Sequence, residues 1–217
     1  MKLFFVFLSV VLLTACSPSL KFQESYVSKD LKFNDVKSGS ITVYGASNIM
    51  LNEFIQTFKD EYSDTIKLNN KIVTDFKTQF SKQIPNAKII SGKGTIPSAM
   101  IGEFSFKDNN HSVVDSFFNS LVSDYLIFIN TLQIGNEWEY NTTYNPTTNM
   151  SSGYSSEKCK VETEIECWQV KDQKRLYKIK SYGSDTVILF TFLSSLNSAI
   201  SEAIENGVKY IANDGKK

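Results

Sequence analysis

The sequence predicts an α/β (α+β) fold: a single sheet of about five strands with helices packed on it and a long C-terminal helix. Three observations carry this. Residues 125–132, Tyr-Leu-Ile-Phe-Ile-Asn-Thr-Leu, are almost continuously apolar, the mark of a strand buried on both faces. Residues 159–167 alternate strictly, apolar or small at odd positions and charged at even ones, the two-residue period of a strand with one buried face. Leu193, Leu196, Ile200, Ala203, Ile204, Val208 and Ile211 form one stripe near the C-terminus, at the spacing of a helix packed on a core.

From the N-terminal side, Gly39-Ser40 introduces Ile41-Thr42-Val43-Tyr44, a β-rich first strand. Gly45-Ala46-Ser47 is expected to end it, with Ser47 as an N-cap. Leu51, Phe54, Ile55 and Phe58 then recur at helical spacing. A second helix is expected over 68–83, with Ile72, Val73, Phe76 and Phe80 on its apolar stripe and Pro85 as its stop. Ala87-Lys88-Ile89-Ile90 reads as a strand.

Gly92-Lys93-Gly94-Thr95 lacks the Gly-x-x-x-x-Gly-Lys-Ser/Thr pattern of a phosphate loop and reads as a turn. A half-exposed strand is expected over 100–106. Ser112-Val113-Val114-Asp115 has the capping-box form and opens a third helix with Val113, Val114, Phe117, Phe118 and Leu121 on its apolar face.

The alternating segment continues to Val170 as the first strand of a hairpin over 158–180. It turns at Lys171-Asp172-Gln173-Lys174 and returns over 175–180. Glu162, Glu164 and Glu166 are expected to face Lys178 and Lys180 on its wet face, as solvated pairs rather than metal ligands.

Residues 135–157 depart from all of this. They are rich in Asn, Thr, Ser, Tyr and Gly without helical or strand periodicity, and long for a connection in a compact domain. Two readings stand: a mobile loop, or an extended hairpin that reaches a partner. Trp138, Tyr140, Tyr144 and Tyr154 supply the aromatic content that interfaces favour.

The first sixteen residues have the layout of a secretory signal: Lys2, an apolar run over 3–13 broken only by Ser9, then Leu13-Thr14-Ala15-Cys16. The apolar run is too short to span a bilayer, which takes about 20 residues. The tetrapeptide resembles the lipobox of bacterial lipoproteins. That resemblance implies cleavage after Ala15, lipid on Cys16, and removal of residues 1–15. Several acyl chains on one residue meet the need for more than one hydrophobic anchor. Residues 16–38 then read as a lipid-anchored tether, and 39–213 as a single globular domain. Ser17-Pro18-Ser19 follows Cys16 with no Asp beside it. By resemblance to Gram-negative lipoproteins, this implies the outer membrane, at its periplasmic face.

With Cys16 committed to lipid, Cys159 and Cys167 remain. Either their segment is one strand and both are buried thiols, or it folds back and they bridge. On one strand their Cα atoms lie about 26 Å apart, whereas a disulfide needs about 7 Å or less. No turn former stands in 161–165, which disfavours the bridge.

Composition excludes some chemistry. Lys plus Arg and Asp plus Glu balance at 23 each, with no basic block, against a nucleic-acid partner. The single histidine, His111, stands just before the third helix and reads as an exposed loop residue. With one histidine and no Gly-x-Ser-x-Gly elbow, no catalytic set, metal site or cofactor is expected.

The element order, with Ile41-Thr42-Val43-Tyr44, Asp124-Tyr125-Leu126-Ile127 and Trp168-Gln169-Val170-Lys171-Asp172, resembles the periplasmic body of lipoproteins related to the curli secretion lipoprotein and the N-terminal domain of TolB. The first strand lacks the proline-phenylalanine end usual there. The resemblance implies a non-enzymatic, lipid-anchored accessory of envelope assembly or secretion. Its partners would be the membrane through Cys16, other envelope proteins and further copies of itself. The alternative is a lipoprotein that captures a ligand through 135–157.

Overall fold

The computed structural model describes residues 21–101, 111–188 and 191–216. Six strands form one mixed sheet: β1 (Phe22–Val27), β2 (Ser40–Leu51), β3 (Lys88–Ser91), β4 (Tyr125–Asn145), β5 (Met150–Gln169) and β6 (Lys174–Thr186). Their spatial order is β1-β6-β5-β4-β2-β3. β2 runs parallel to both β3 and β4, and the β4–β5–β6–β1 side is antiparallel throughout. Five helices are described: α1 (Phe33–Ser38), α2 (Ile55–Glu61), α3 (Thr65–Gln83), α4 (His111–Ser120) and α5 (Phe192–Ala212). The α+β class, the single sheet and the long C-terminal helix agree with the sequence reading.

The two faces of β4 explain its continuous apolar run. Ile127, Ile129, Leu132 and Ile134 face the main core, where Leu68, Ile72, Phe76 and Phe80 of α3 meet Leu196, Ile200, Ile204 and Val208 of α5. Leu126 and Phe128 face the other way, into a smaller core with Tyr44, Met100, Val114, Phe118 and Trp168. α4 therefore covers the sheet on the side opposite α3 and α5. At the parallel junction the Asp124 carboxylate accepts from the Ser40 amide at 2.8 Å and the Ser40 hydroxyl at 2.6 Å, which holds its pKa below the usual carboxylate range.

Several sequence expectations change. β1 and α1 lie inside 16–38, so part of the stretch expected as tether is folded. β1 adds a sixth strand by pairing Phe22 with Ser181 and Val27 with Tyr177. β2 does not end at Gly45-Ala46-Ser47. Its pairing with β4 slips between Val43 and Ala46 and then resumes to Leu51, a bulge that the absent side chain of Gly45 permits: a Cβ there would stand 2.1 Å from Asn69 Oδ1. Asn69 Oδ1 accepts from the Ala46 amide at 2.9 Å. Leu51 thus belongs to a strand, and the helix behind it is only Ile55–Glu61.

Met100 is the end of a 3₁₀ turn, Ser98–Met100, and is fully buried. Residues 102–106 of the strand expected at 100–106 lie outside the described residues. α4 begins at His111, so that residue is helical rather than part of a loop, and Ser112 lies within the first turn.

Candidate functional site

Residues 135–157 are the outer parts of β4 and β5, which pair without interruption from Thr131↔Glu164 to Asn145↔Met150. Of the two sequence readings, the hairpin is the one found. The inner parts of these strands have neighbours on both sides. β2 pairs with β4 as far as Leu51↔Ile134, and the Asn52 amide donates to the Ile134 carbonyl. β6 pairs with β5 as far as Thr186↔Lys158, and the Val187 amide donates to the Glu157 carbonyl. Beyond those levels the two strands stand alone among the described residues, as a ribbon with a free edge on each side. From Trp138 to Asn145 this arm extends about 23 Å at 3.3 Å per residue.

Local chemistry builds both ends of the arm. At the root, Lys158 pairs with Glu139 at 2.8 Å and Lys160 with Glu137 at 3.2 Å. The hydrogen bond to Glu139 raises the Lys158 pKa. Asn136 Nδ2 donates to Glu157 Oε1 at 2.9 Å. At the tip, Asn149 has φ +53°, a left-handed conformation Asn tolerates. Its Oδ1 accepts from the Tyr144 hydroxyl at 2.6 Å, and Asn145 Oδ1 accepts from the Thr147 amide at 3.0 Å.

The structure does not bring the four aromatics of this stretch together. Residues directly opposite in an antiparallel ladder share a face. Trp138, Tyr140 and Tyr144, opposite Glu157, Ser155 and Ser151, lie on the face that continues the α3/α5 side. Tyr154, opposite Asn141, lies on the other face, as does Met150 opposite Asn145. All four aromatics are exposed, Tyr140 by 78% and Trp138 by 51%. Between Trp138 and Ser156 the only formally charged side chain is Glu139.

The β6 edge next to the root is treated differently. β1 pairs with β6 only up to Phe22↔Ser181, which leaves the edge uncovered beyond it. There α5 supplies side chains: the Ser184 amide donates to Glu202 Oε2 at 2.8 Å, and Asn206 Nδ2 donates to the Tyr182 carbonyl at 2.7 Å. Blocking an edge in this way suppresses unwanted strand pairing. A cleft of about 400 Å³ lies here, lined by Lys21, Glu137, Lys160, Tyr182 and Glu202 among others.

The charged face of the β5–β6 hairpin is less wet than its sequence implies. The expected pairs form, Glu162 with Lys180 at 2.7 Å and Glu164 with Lys178 at 2.8 Å. Toward Trp168, however, the face is covered, because Phe128 and Trp168 on it belong to the smaller core. Glu166 is fully buried and Lys178 nearly so. Glu166 Oε2 accepts from Trp168 Nε1 at 2.9 Å. Among the described residues its Oε1 finds no hydrogen-bond partner, with Arg175 at 3.7 Å and Lys178 at 3.9 Å. Burial outweighs these partners and raises the Glu166 pKa. The alternation revealed the ladder, but it did not reveal which rung is dry. That depends on Phe128 of the neighbouring strand and on Trp168, which Phe118 of the distant α4 packs against.

Cys159 and Cys167 both stand on β5 as buried free thiols. Burial pushes the Cys159 thiol up to about 12 and raises Cys167 as well, so neither is a reactive thiolate at neutral pH. Among the described residues no cluster of three or more His, Cys, Asp or Glu is placed to hold a metal ion, and no helix is long and apolar enough to cross a membrane. Cys16 and the rest of 1–16 lie outside the described residues.

No protein-family model matches this chain, and no curated protein does. Among solved structures, the PelC dodecamer from Paraburkholderia phytofirmans is similar over 85% of this chain and 95% of its own, at 12% identity and a TM-score of 0.37. A minor lipoprotein from Acinetobacter baumannii is similar over 82% and 94%, at 4% identity and 0.37. Lipoprotein GNA1162 from Neisseria meningitidis is similar over 80% and 98%, at 13% identity and 0.30. At such identities and TM-scores these likenesses carry no argument about what the chain does.

Proposed function

We propose that this is a non-enzymatic, lipid-anchored protein of the cell envelope, held through Cys16 at the periplasmic face of the outer membrane. In this reading it serves as a structural or accessory component of an envelope assembly or secretion system, and the open strand edges of its β4–β5 arm, rather than the rings on its faces, pair with other proteins or further copies of itself. The observation that carries the reading is the arm. A two-stranded ribbon is marginal by itself in water, and unpaired strand edges are templates for another chain. Among the described residues this one leaves both edges open, whereas side chains from α5 cap the β6 edge beside it. The anchor rests on Leu13-Thr14-Ala15-Cys16. The non-enzymatic reading is supported by what the buried reactive groups do: Glu166 is engaged by Trp168, and both thiols are held protonated by burial.

The test replaces 138–157 by Asn-Gly, a two-residue turn that closes a hairpin between Glu137 and Lys158, which stand opposite each other in the ladder. Complexes are then captured from detergent-solubilised envelopes. The shortened chain is expected to keep its thermal unfolding transition and to lose its co-purifying proteins or its oligomeric state. An unchanged set of partners and an unchanged oligomer would remove the arm as the interface. Separately, Cys16→Ser is expected to release the protein from the membrane fraction. Equal membrane retention would sink the anchor.

A further inference from the structure

We infer that the aromatic rings of the β4–β5 arm seat in the headgroup region of the bilayer that holds the anchor. This rests on the lipid-anchor reading of Cys16. The argument is one of reach and direction. β1 runs antiparallel to β6, with Phe22 opposite Ser181 and the Lys21 carbonyl accepting from the Tyr182 amide at 2.9 Å. β6 ends at Thr186, at the root of the arm. The chain therefore enters β1 from the arm end of the sheet, and Lys21 lines the cleft at that root together with Glu137 and Lys160.

Five Cα-to-Cα steps lead from Cys16 to Lys21, a reach of at most about 18 Å. The opposite end of the sheet, at Lys174, lies eight residues along β6 from Tyr182, or about 26 Å. The tether is too short to place the bilayer there. The acyl chains must enter the membrane beside the arm, and the arm's length of about 23 Å then extends along or into the membrane surface.

The composition of the arm suits that place. Trp and Tyr are the residues enriched where bilayer meets water, since each has an apolar body and a polar tip. Trp138, Tyr140 and Tyr144 share one face, with Tyr154 and Met150 on the other, and Glu139 is the only formal charge between Trp138 and Ser156. Glu139 is paired with Lys158 at the root, so little charge opposes entry into the interface. Asn, Thr and Ser between the rings suit the hydrated headgroup layer rather than the hydrocarbon core.

The two tryptophans make the test clean. Trp138 is on the arm, while Trp168 is buried and lies eleven residues along β5 from Glu157, the partner of Trp138. That is about 36 Å, beyond the reach of quenchers in the membrane. Protein purified in detergent from the membranes of its expressing cells is reconstituted into phosphatidylcholine vesicles carrying bromine near the headgroup or near the chain end. Loss of emission is expected with the shallow bromines, less with the deep ones, and none in Trp138→Phe. Tyr140→Ser with Tyr144→Ser is expected to weaken the quenching.

Two results overturn the inference. Emission indifferent to bromine but quenched by aqueous iodide would place the arm in water. Emission indifferent to both would place the rings, and not only the strand edges, under protein. The intact mass of the same sample separates the two readings: an unmodified Cys16 removes the anchor and this inference with it. A lipidated chain with unquenched Trp138 removes this inference alone.

Discussion

Two glycine-to-alanine changes test how α5 lies on the sheet. A Cβ added at Gly183 of β6 would stand 2.1 Å from the Ala199 carbonyl oxygen and 2.5 Å from the Ala203 nitrogen. Both are backbone atoms of α5, so no rotamer change relieves the clash. Ordinary contact needs about 3.5 Å or more, so the helix must withdraw by more than about 1 Å. That movement would lift Leu196, Ile200 and Ile204, all buried against the strands. Overpacking costs about 1–3 kcal/mol. With rigid backbone on the opposing side we expect the upper end, about 3 kcal/mol, or roughly a hundredfold in the folding constant.

At a urea slope of about 2–3 kcal/mol/M the midpoint falls by about 1 M. Gly153→Ala is the matched control. Its Cβ would meet nothing nearer than 3.5 Å, and alanine in place of a strand glycine is expected to be neutral or to gain about 0.5 kcal/mol. Urea unfolding followed through the emission of buried Trp168, in a Trp138→Phe background, measures both. Equal midpoints for the two variants would refute the close seating of α5 on β6.

Glu166 governs a pH dependence. Its folded pKa is raised, so the folded state keeps this proton at pH values where the unfolded state has released it. Its contribution to stability therefore declines as pH rises from the unfolded value through the folded one. Glu166→Gln, which imitates the protonated form, is expected to flatten that part of the stability profile. Glu166→Ala loses the bond from Trp168 Nε1 and costs about 1–3 kcal/mol; denaturation midpoints measured upward in pH from the ordinary Glu value of about 4.3 check both. An unchanged slope in Glu166→Gln would show that another group sets it. Cys159 and Cys167 are expected to resist an aqueous thiol reagent in the folded protein and to react together on unfolding; rapid native labelling of either would contradict their burial. Glu202→Ala uncovers the Ser184 amide on the β6 edge, and concentration-dependent self-association in sedimentation is the expected consequence. A strictly unchanged sedimentation profile would mean that this cap does not guard the edge.

Much of the fold was legible because local pattern and environment coincide. The continuous apolar run of β4 and the alternation of β5 each report their faces directly. Expectations failed where a distant contact overrides the local signal. Gly45-Ala46-Ser47 looks like a strand end, yet Asn69 of α3 accepts the amide that the bulge frees. Phe22–Val27 has weak patterning because only one face meets α5 and it occupies a sheet edge. Its strand character comes from β6, more than 150 residues away in sequence.

By itself the sequence determined the balance of charge, the lipobox-like tetrapeptide, the strand that keeps Cys159 and Cys167 apart, and the aromatic content of 135–157. These follow from residue type and near-neighbour spacing. Only the tertiary structure decided that 135–157 is a ribbon whose two edges no other described residue pairs with, because that depends on where β2 and β6 stop beside it. It also decided that Trp138, Tyr140 and Tyr144 share a face while Tyr154 does not, since one register between two strands sets both. It decided that Glu166 is dry while Glu162 stays half-exposed, because Phe128 and Trp168 on that face pack into the smaller core, where Phe118 of α4 meets Trp168. Finally, the antiparallel docking of β1 directs the N-terminal chain toward the arm, a direction that no local pattern in residues 17–27 contains.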